Sequence, residues 1–108
     1  MTNLILTSSQ AHRFWSLIKG RSPHVEDDVV EVAGKSAGDL YLRLAAQQWR
    51  DGVPAWPLAV DGCVEAVLLA PSQEEAAACA RITLTDLSKV KPSLAKRTLR
   101  WIEGGFEA

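Results

Sequence analysis

The first part of the chain combines a short apolar run with a stretch of helical periodicity. Residues 4–6 are apolar and precede a polar stretch, which predicts a short edge strand. Ser8 or Ser9 can cap a helix that runs to residue 19, and Gly20 supplies its stop signal. Apolar side chains recur in this helix at helical spacing, so it should bury one face, formed by Ala11, Phe14, Trp15 and Ile18.

The next two segments carry less uniform patterns. Residues 22–34 have helix boundary signals at both ends, but the β-branched run at residues 29–32 favours a strand, and helix is our preferred interpretation. A further helix should begin at Ser36 or Asp39 and end near residue 50. It carries two apolar stripes, a main one of Leu40, Tyr41, Leu44 and Ala45 and a second one of Leu42, Ala46 and Trp49.

A β-hairpin is the clearest local pattern of the sequence. The apolar runs at residues 58–60 and 63–69 flank Asp61-Gly62, and this dipeptide suits a type I′ turn because both turn residues accept positive φ. The turn would pair Leu58 with Glu65. One side of the hairpin would then hold Leu58, Val60, Cys63, Val67 and Leu69, and the other Ala59, Val64, Ala66 and Leu68. Both sides are apolar, so something must cover each.

Three more helices are predicted after the hairpin. Ser72 and Glu75 form a capping box for a helix over residues 72–82, a weaker box opens a short helix over residues 83–90, and Pro92 begins a last helix that ends at Gly104-Gly105. The fold class that follows is α+β, with several helices packed on a small antiparallel sheet that contains the hairpin at Asp61-Gly62.

Composition agrees with one folded unit. The chain has 108 residues, 47% hydrophobic and 23% charged, which predicts a single compact domain over residues 1–108. Its apolar N-terminal run is too short for a signal peptide or a membrane span, so we expect a cytoplasmic protein. Cys63 and Cys79 have no second pair for a disulfide or zinc framework and are expected to be buried, reduced thiols.

Charge is distributed unevenly along the chain. Residues 25–80 carry ten acids against three cations, whereas residues 81–102 carry six cations against Asp86. Such polarity can steer a charged partner, or it can be internal if the basic segment lies near the acidic middle. Residues 83–103 also resemble a helix-turn-helix, whose DNA-facing residues would be Lys89, Lys91, Ser93, Lys96, Arg97 and Arg100. The alternative is an amphipathic terminal helix with a solvated cationic face, because the net charge of −1 is not basic.

Groups for catalysis or metal binding are few. His12 and His24 are the two histidines, and neither has a Gly-x-Ser-x-Gly elbow or an activated cysteine nearby. The acids that follow His24 are better explained as charges that favour a helix N-terminus than as metal ligands. Glu65 interrupts an apolar strand, which we interpret as an ordinary charge at a strand edge. We therefore assign no catalytic residue, no metal and no cofactor, and a small enzyme is the third hypothesis.

Tryptophan supplies the main functional pattern. The chain has four tryptophans, a residue favoured at protein–protein hot spots, although in small domains it often fills the core. Trp56 is expected to be the most exposed and Trp49 the next, and with Trp101 they form the predicted protein interface. The sequence thus predicts a non-catalytic protein that binds a macromolecule as a small regulator, inhibitor or adaptor, with self-association possible. A DNA-binding regulator is the alternative.

Overall fold

The computed structural model describes residues 4–18 and 40–108, so the prediction for residues 22–34, with His24, lies outside the described residues. Three helices pack on a mixed five-stranded sheet, an α+β fold in the described part of the chain. The elements in chain order are β1 (Leu4–Thr7), α1 (Ser8–Ile18), α2 (Leu40–Arg50), β2 (Ala55–Val60), β3 (Cys63–Leu69), α3 (Gln73–Val90), a 3-10 turn (Pro92–Leu94), β4 (Arg100–Ile102) and β5 (Gly105–Glu107).

The sheet has the strand order β1-β3-β2-β5-β4. Strand β1 lies at one edge, as the sequence predicts for residues 4–6, and β4 lies at the other. Neighbouring strands are antiparallel, as expected, except β2 and β5, which run parallel and make the sheet mixed. Two parallel neighbouring strands require a crossover connection. Here α3 and the segment after it form that connection, because they lead from the β2–β3 hairpin to the β4–β5 hairpin.

The predicted turn at Asp61-Gly62 is confirmed, since the two residues have φ values of 51° and 82° and join the pair Val60–Cys63. The predicted pairing of Leu58 with Glu65 is wrong. A β-bulge shifts the register between Leu58 and Ala59, so that Leu58 pairs with Ala66 and Glu65 is the extra residue. Leu58 therefore lies on the opposite face of the sheet from Val67 and Leu69, with which the sequence had grouped it.

Both faces of the hairpin are covered, as its two apolar sides required. Helices α1 and α2 cover one face, where Phe14 and Trp49 pack against a core that contains Val67 and Leu69. Helix α3 covers the other face, on which its small residues lie close to the sheet. This second core contains Leu58, Ala66, Leu68, Ala70, Ala76, Ala80 and Phe106.

Both helices on the first face lie where the sequence predicts helices, but α2 buries residues of both of its predicted stripes. In α1 the residues Ala11, Phe14 and Ile18 are buried, as predicted. In α2 the buried side chains come from both predicted stripes. Ala45 of the main stripe is buried, and so are Ala46 and Trp49 of the second, with Trp49 only 6% exposed, whereas Leu44 of the main stripe is 43% exposed. The expectation that Trp49 lies at the surface is wrong. Burial of the large indole removes more apolar area from water than burial of a leucine would.

Helix α3 is one continuous helix where the sequence predicts two. Its start is confirmed, since the Ser72 side chain accepts a hydrogen bond from the backbone N–H of Glu75. Thr83, taken as the start of a second helix, lies in the interior of α3, and its hydroxyl donates to the carbonyl oxygen of Cys79 at 2.8 Å. A threonine that bonds back to the preceding turn satisfies its hydroxyl without ending the helix.

The predicted last helix is wrong. After Val90 the chain forms the short 3-10 turn, and residues 100–107 form the β4–β5 hairpin around Gly104, whose φ is 84°. Leu94 is buried against Val60 and Leu84, and this contact anchors the segment that precedes the hairpin. Burial of that leucine and pairing of Trp101 with Phe106 stabilise the strand conformation more than the helical spacing of the basic residues stabilises a helix.

The cysteines also differ from expectation, because Cys63 is exposed and Cys79 is half-buried, and the two form no disulfide. We expect 5,5′-dithiobis(2-nitrobenzoic acid) to modify Cys63 of the native protein at least about tenfold faster than Cys79, since a thiol must be accessible to react. The fast phase should be absent in Cys63→Ser and present in Cys79→Ser. A single slow phase in the native wild type would contradict the exposed position of Cys63.

Candidate functional site

Three aromatic side chains meet on the α3 face at the β4 edge of the sheet, and we call them the aromatic edge: Trp56, Trp101 and Phe106. The strand register places them together, because Trp101 pairs with Phe106 across β4 and β5, and Leu58 pairs with Phe106 across β2 and β5. Trp56 precedes Leu58 by two residues in β2 and so lies on the same face.

The rings contact one another at distances typical of favourable aromatic pairs. The ring centroid of Trp101 lies 5.2 Å from that of Phe106, nearly edge to face, and 5.7 Å from that of Trp56. Trp56 and Phe106 are 6.4 Å apart. Each ring therefore restricts the other two, and Trp101 is held in one orientation by two neighbours.

Trp56 and Phe106 connect this cluster to the core. The indole Nε1–H of Trp56 donates to the carbonyl oxygen of Ala70 at 2.9 Å, so its one polar group is satisfied within the fold. The Trp56 side chain is half-buried rather than the most exposed tryptophan, and Phe106 is buried. Both serve as a rigid base for Trp101, which is 48% exposed.

Of the predicted interface residues, the structure brings Trp56 and Trp101 together and places Trp49 in the core on the other face of the sheet. Sequence reasoning did not select Phe106. The sequence contains one signal for Phe106, the Gly-Gly pair that precedes it, because such a pair is also compatible with a hairpin turn after Ile102. The predicted terminal helix ended at this pair, so no strand was predicted with which Phe106 could pair.

The predicted DNA-facing residues do not form a helix surface. Ser93 lies in the 3-10 turn, Lys96 and Arg97 follow it, and Arg100 begins β4. The predicted helix-turn-helix over residues 83–103 is wrong, because its recognition helix is replaced by this turn and a strand.

Most of the cations in this set pair with acids. Lys91 lies 3.2 Å from Glu65, and Arg97 lies 3.2 Å from Asp61, so two acids of the first hairpin meet the basic segment. The remaining pairs, at 3.3 Å and 2.8 Å, are Lys89–Asp86 and Arg100–Glu107. The uneven charge along the chain is therefore partly internal. These pairs are exposed, and each contributes at most about 1 kcal/mol to stability.

A shallow groove of about 230 Å³ brings a histidine and a thiol to one place. It lies where α1 passes the start of β3, and His12, Trp15, Ser16, Cys63 and Val64 line it. No hydrogen bond joins the imidazole of His12 to the thiol of Cys63 within the described residues, and no carboxylate lines the groove. Among the described residues, the groove therefore lacks an orienting acid, the third member of such a catalytic set.

The described residues also lack a metal-binding cluster and a membrane-spanning helix. Within residues 4–18 and 40–108, no group of three or more histidine, cysteine or acidic side chains is placed to hold a metal ion. No helix in the described ranges combines the length and apolarity needed to cross a membrane. Comparison with protein-family models, curated proteins and solved structures found no match.

Proposed function

We propose that this protein is a non-catalytic binding protein, a small regulator, inhibitor or adaptor, whose partner is another protein bound at the aromatic edge. The observation that carries the proposal is the position of Trp101, which is 48% exposed on an edge strand although two aromatic rings hold it in place. Tryptophan in such a position is the residue type most typical of binding hot spots.

Rigidity of the exposed ring favours binding. A side chain that is already ordered in the free protein loses little conformational entropy when a partner covers it. Trp56 and Phe106 provide this order for Trp101, and the hydrogen bond from Trp56 to Ala70 fixes the base of the cluster. A partner side chain that packs on Trp101 would gain apolar contact at a small entropic cost.

The strand that carries Trp101 adds a second mode of contact. No described strand pairs with the outer edge of β4, so its backbone groups are available to an extended segment of a partner. The ion pair between Arg100 and Glu107, at 2.8 Å, joins β4 to β5 beside the tryptophan. We infer that the partner adds an extended strand along β4 and covers Trp101.

Replacing Trp101 with alanine should weaken partner binding about thirtyfold, which corresponds to the ~2 kcal/mol expected of a hot-spot residue. The partner is identified by crosslinking and affinity purification from the source lysate with quantitative mass spectrometry. It is then produced and titrated by calorimetry against the wild type and the variant. Crosslinks should map to residues 99–103.

The matched control is Ile82→Ala, because Ile82 is 60% exposed on α3 and is a second large apolar side chain at the surface. This variant should bind like the wild type. Equal affinity of the wild type and Trp101→Ala for the purified partner would refute the proposal, as would crosslinks that map away from β4. If light scattering shows a dimer that Trp101→Ala dissociates, the bound partner is a second copy of this chain.

The proposed setting is the cytoplasm. Cys63 and Cys79 form no disulfide, and Cys63 is exposed. Exposed unpaired thiols persist in reducing compartments and tend to be oxidised outside them. This supports the location without bearing on the identity of the partner.

A further inference from the structure

One cleft lies away from the aromatic edge, between α3 and the segment that follows the 3-10 turn. Its volume is about 460 Å³, within the range of sites that hold small molecules. Leu84, Leu94 and Leu99 line it, and the first two belong to the buried cluster that also contains Val60. The cleft therefore has an apolar floor that is part of the core.

Two guanidinium groups line this cleft, Arg81 from α3 and Arg97 from the opposite wall, and no aspartate or glutamate of the described residues does. Arg97 is held by Asp61 at 3.2 Å and by the carbonyl oxygen of Ala108 at 3.4 Å. Arg81 has no acidic partner among the described residues. Of the two cations, Arg97 is therefore paired with an acid, whereas Arg81 is paired with none in the described part of the chain.

The hydroxyl groups of the lining divide by their hydrogen bonds. The hydroxyls of Thr85 and Ser88 donate to the carbonyl oxygens of Arg81 and Thr85, at 3.0 Å and 2.6 Å. Their protons are therefore engaged, and their oxygen atoms repel an anion. The Thr98 hydroxyl has no such bond within the described residues and can donate to a ligand. The donors for an anion are Arg81, Arg97 and Thr98.

We propose that this cleft binds a small organic anion, a phosphate or carboxylate group on a short apolar body. The anionic group lies between Arg81 and Arg97, where charge-assisted hydrogen bonds are the strongest available, and the apolar body lies on the leucine floor. Phosphate and carboxylate share this chemistry, since both offer oxygen pairs that match a guanidinium. Neither half of the site is sufficient: an inorganic anion leaves the floor uncovered, and a neutral alcohol leaves Arg81 unpaired.

The test uses hexyl phosphate and hexanoate as probes, with hexanol and inorganic phosphate as the neutral and headgroup-only controls. Titration followed by 1H–15N NMR should show saturable shifts at residues 81–88 and 94–99 with at least one of the two organic anions. The anion that binds more tightly identifies the headgroup. Affinity for the better probe should exceed that for hexanol or inorganic phosphate at least about tenfold and should fall with added salt.

Arg81→Gln should weaken binding of the better probe about tenfold, as expected for loss of a charge-assisted bond at an accessible site. The control is Lys96→Gln, which removes an exposed cation near the cleft that does not line it. It should change the affinity less than twofold. Arg81 is exposed, so an unchanged circular dichroism spectrum and melting temperature should accompany its loss of affinity.

Equal affinity of Arg81→Gln and the wild type for the better probe would overturn the proposal. So would equal binding of hexanol, which would indicate apolar adsorption, or of inorganic phosphate, which would indicate nonspecific charge attraction. Absence of shifts with both organic anions would overturn it as well. Trp101 does not line the cleft, so Trp101→Ala should bind the better probe like the wild type, and either proposal can fail without the other.

Discussion

Replacing Thr85 with proline is expected to lower the free energy of unfolding by about 3 kcal/mol or more. Thr85 lies in the interior of α3 (Gln73–Val90), and its side chain is exposed, so the loss would come from the backbone. Proline removes the N–H that bonds to the preceding turn, and its ring collides with the carbonyl oxygen of Arg81. Urea denaturation followed by far-UV circular dichroism measures the change.

This substitution distinguishes a continuous α3 from two shorter helices. If a separate helix began at Thr83, residue 85 would lie in its first turn, where proline is tolerated. Thr85→Ala is the matched control, and it should change stability by about 0.5 kcal/mol or less, because alanine favours helix while the bond to the carbonyl of Arg81 is lost. A proline variant as stable as this control would contradict the continuous helix.

Replacing Gly105 with alanine should cost about 3 kcal/mol and detach the β4–β5 hairpin from the sheet. A Cβ at this position would collide with the carbonyl oxygen of Pro57 and would lie 2.7 Å from two carbons of its ring. Pro57 is in β2, a central strand paired on both sides, so its backbone has little freedom to move. Denaturation measures the loss of stability, and near-UV circular dichroism reports separation of Trp56 from Trp101.

The control for this variant is Gly104→Ala, one residue earlier. Gly104 has a φ of 84° and open space around it, so alanine there is strained but meets no atom within 4 Å. The strain should cost about 1 kcal/mol. A difference of ~2 kcal/mol between the two variants would measure the collision with Pro57. Equal losses would show that β5 can move away from β2 at no cost.

Both large effects concern parts of the chain where the sequence prediction was wrong. Thr83 and Asp86 have the form of a helix start. Thr83 is nevertheless buried within α3, and Ala80 and Leu84 on either side of it pack in clusters with sheet residues, which favours one continuous helix. The basic residues of the last segment have helical spacing, yet Gly105 fits against Pro57 and turns the segment into strands. In each case a local signal competed with a contact to a residue distant in the chain.

In the candidate site, too, the residue types follow from the sequence, whereas their placement depends on contacts between distant parts of the chain. Trp56 and Trp101 could be selected from the sequence because tryptophan is favoured at interfaces. Their proximity depends on β5 lying beside β2, which no local pattern encodes. Trp49 is also a tryptophan, but it lies in the core. The orientation of α2 on the sheet, which the sequence does not determine, separates this buried tryptophan from those at the candidate interface.

By itself, the sequence determined the features that depend on neighbours along the chain: the Asp61-Gly62 turn, the cap at Ser72, the buried stripe of α1 and the α+β class. These follow from turn geometry, capping and periodicity over a few residues. The tertiary structure alone decided the β-bulge, the length of α3, the C-terminal hairpin and the aromatic edge. They were decided there because burial and pairing between distant residues are worth several kcal/mol and exceed the fractions of a kcal/mol that separate local conformations.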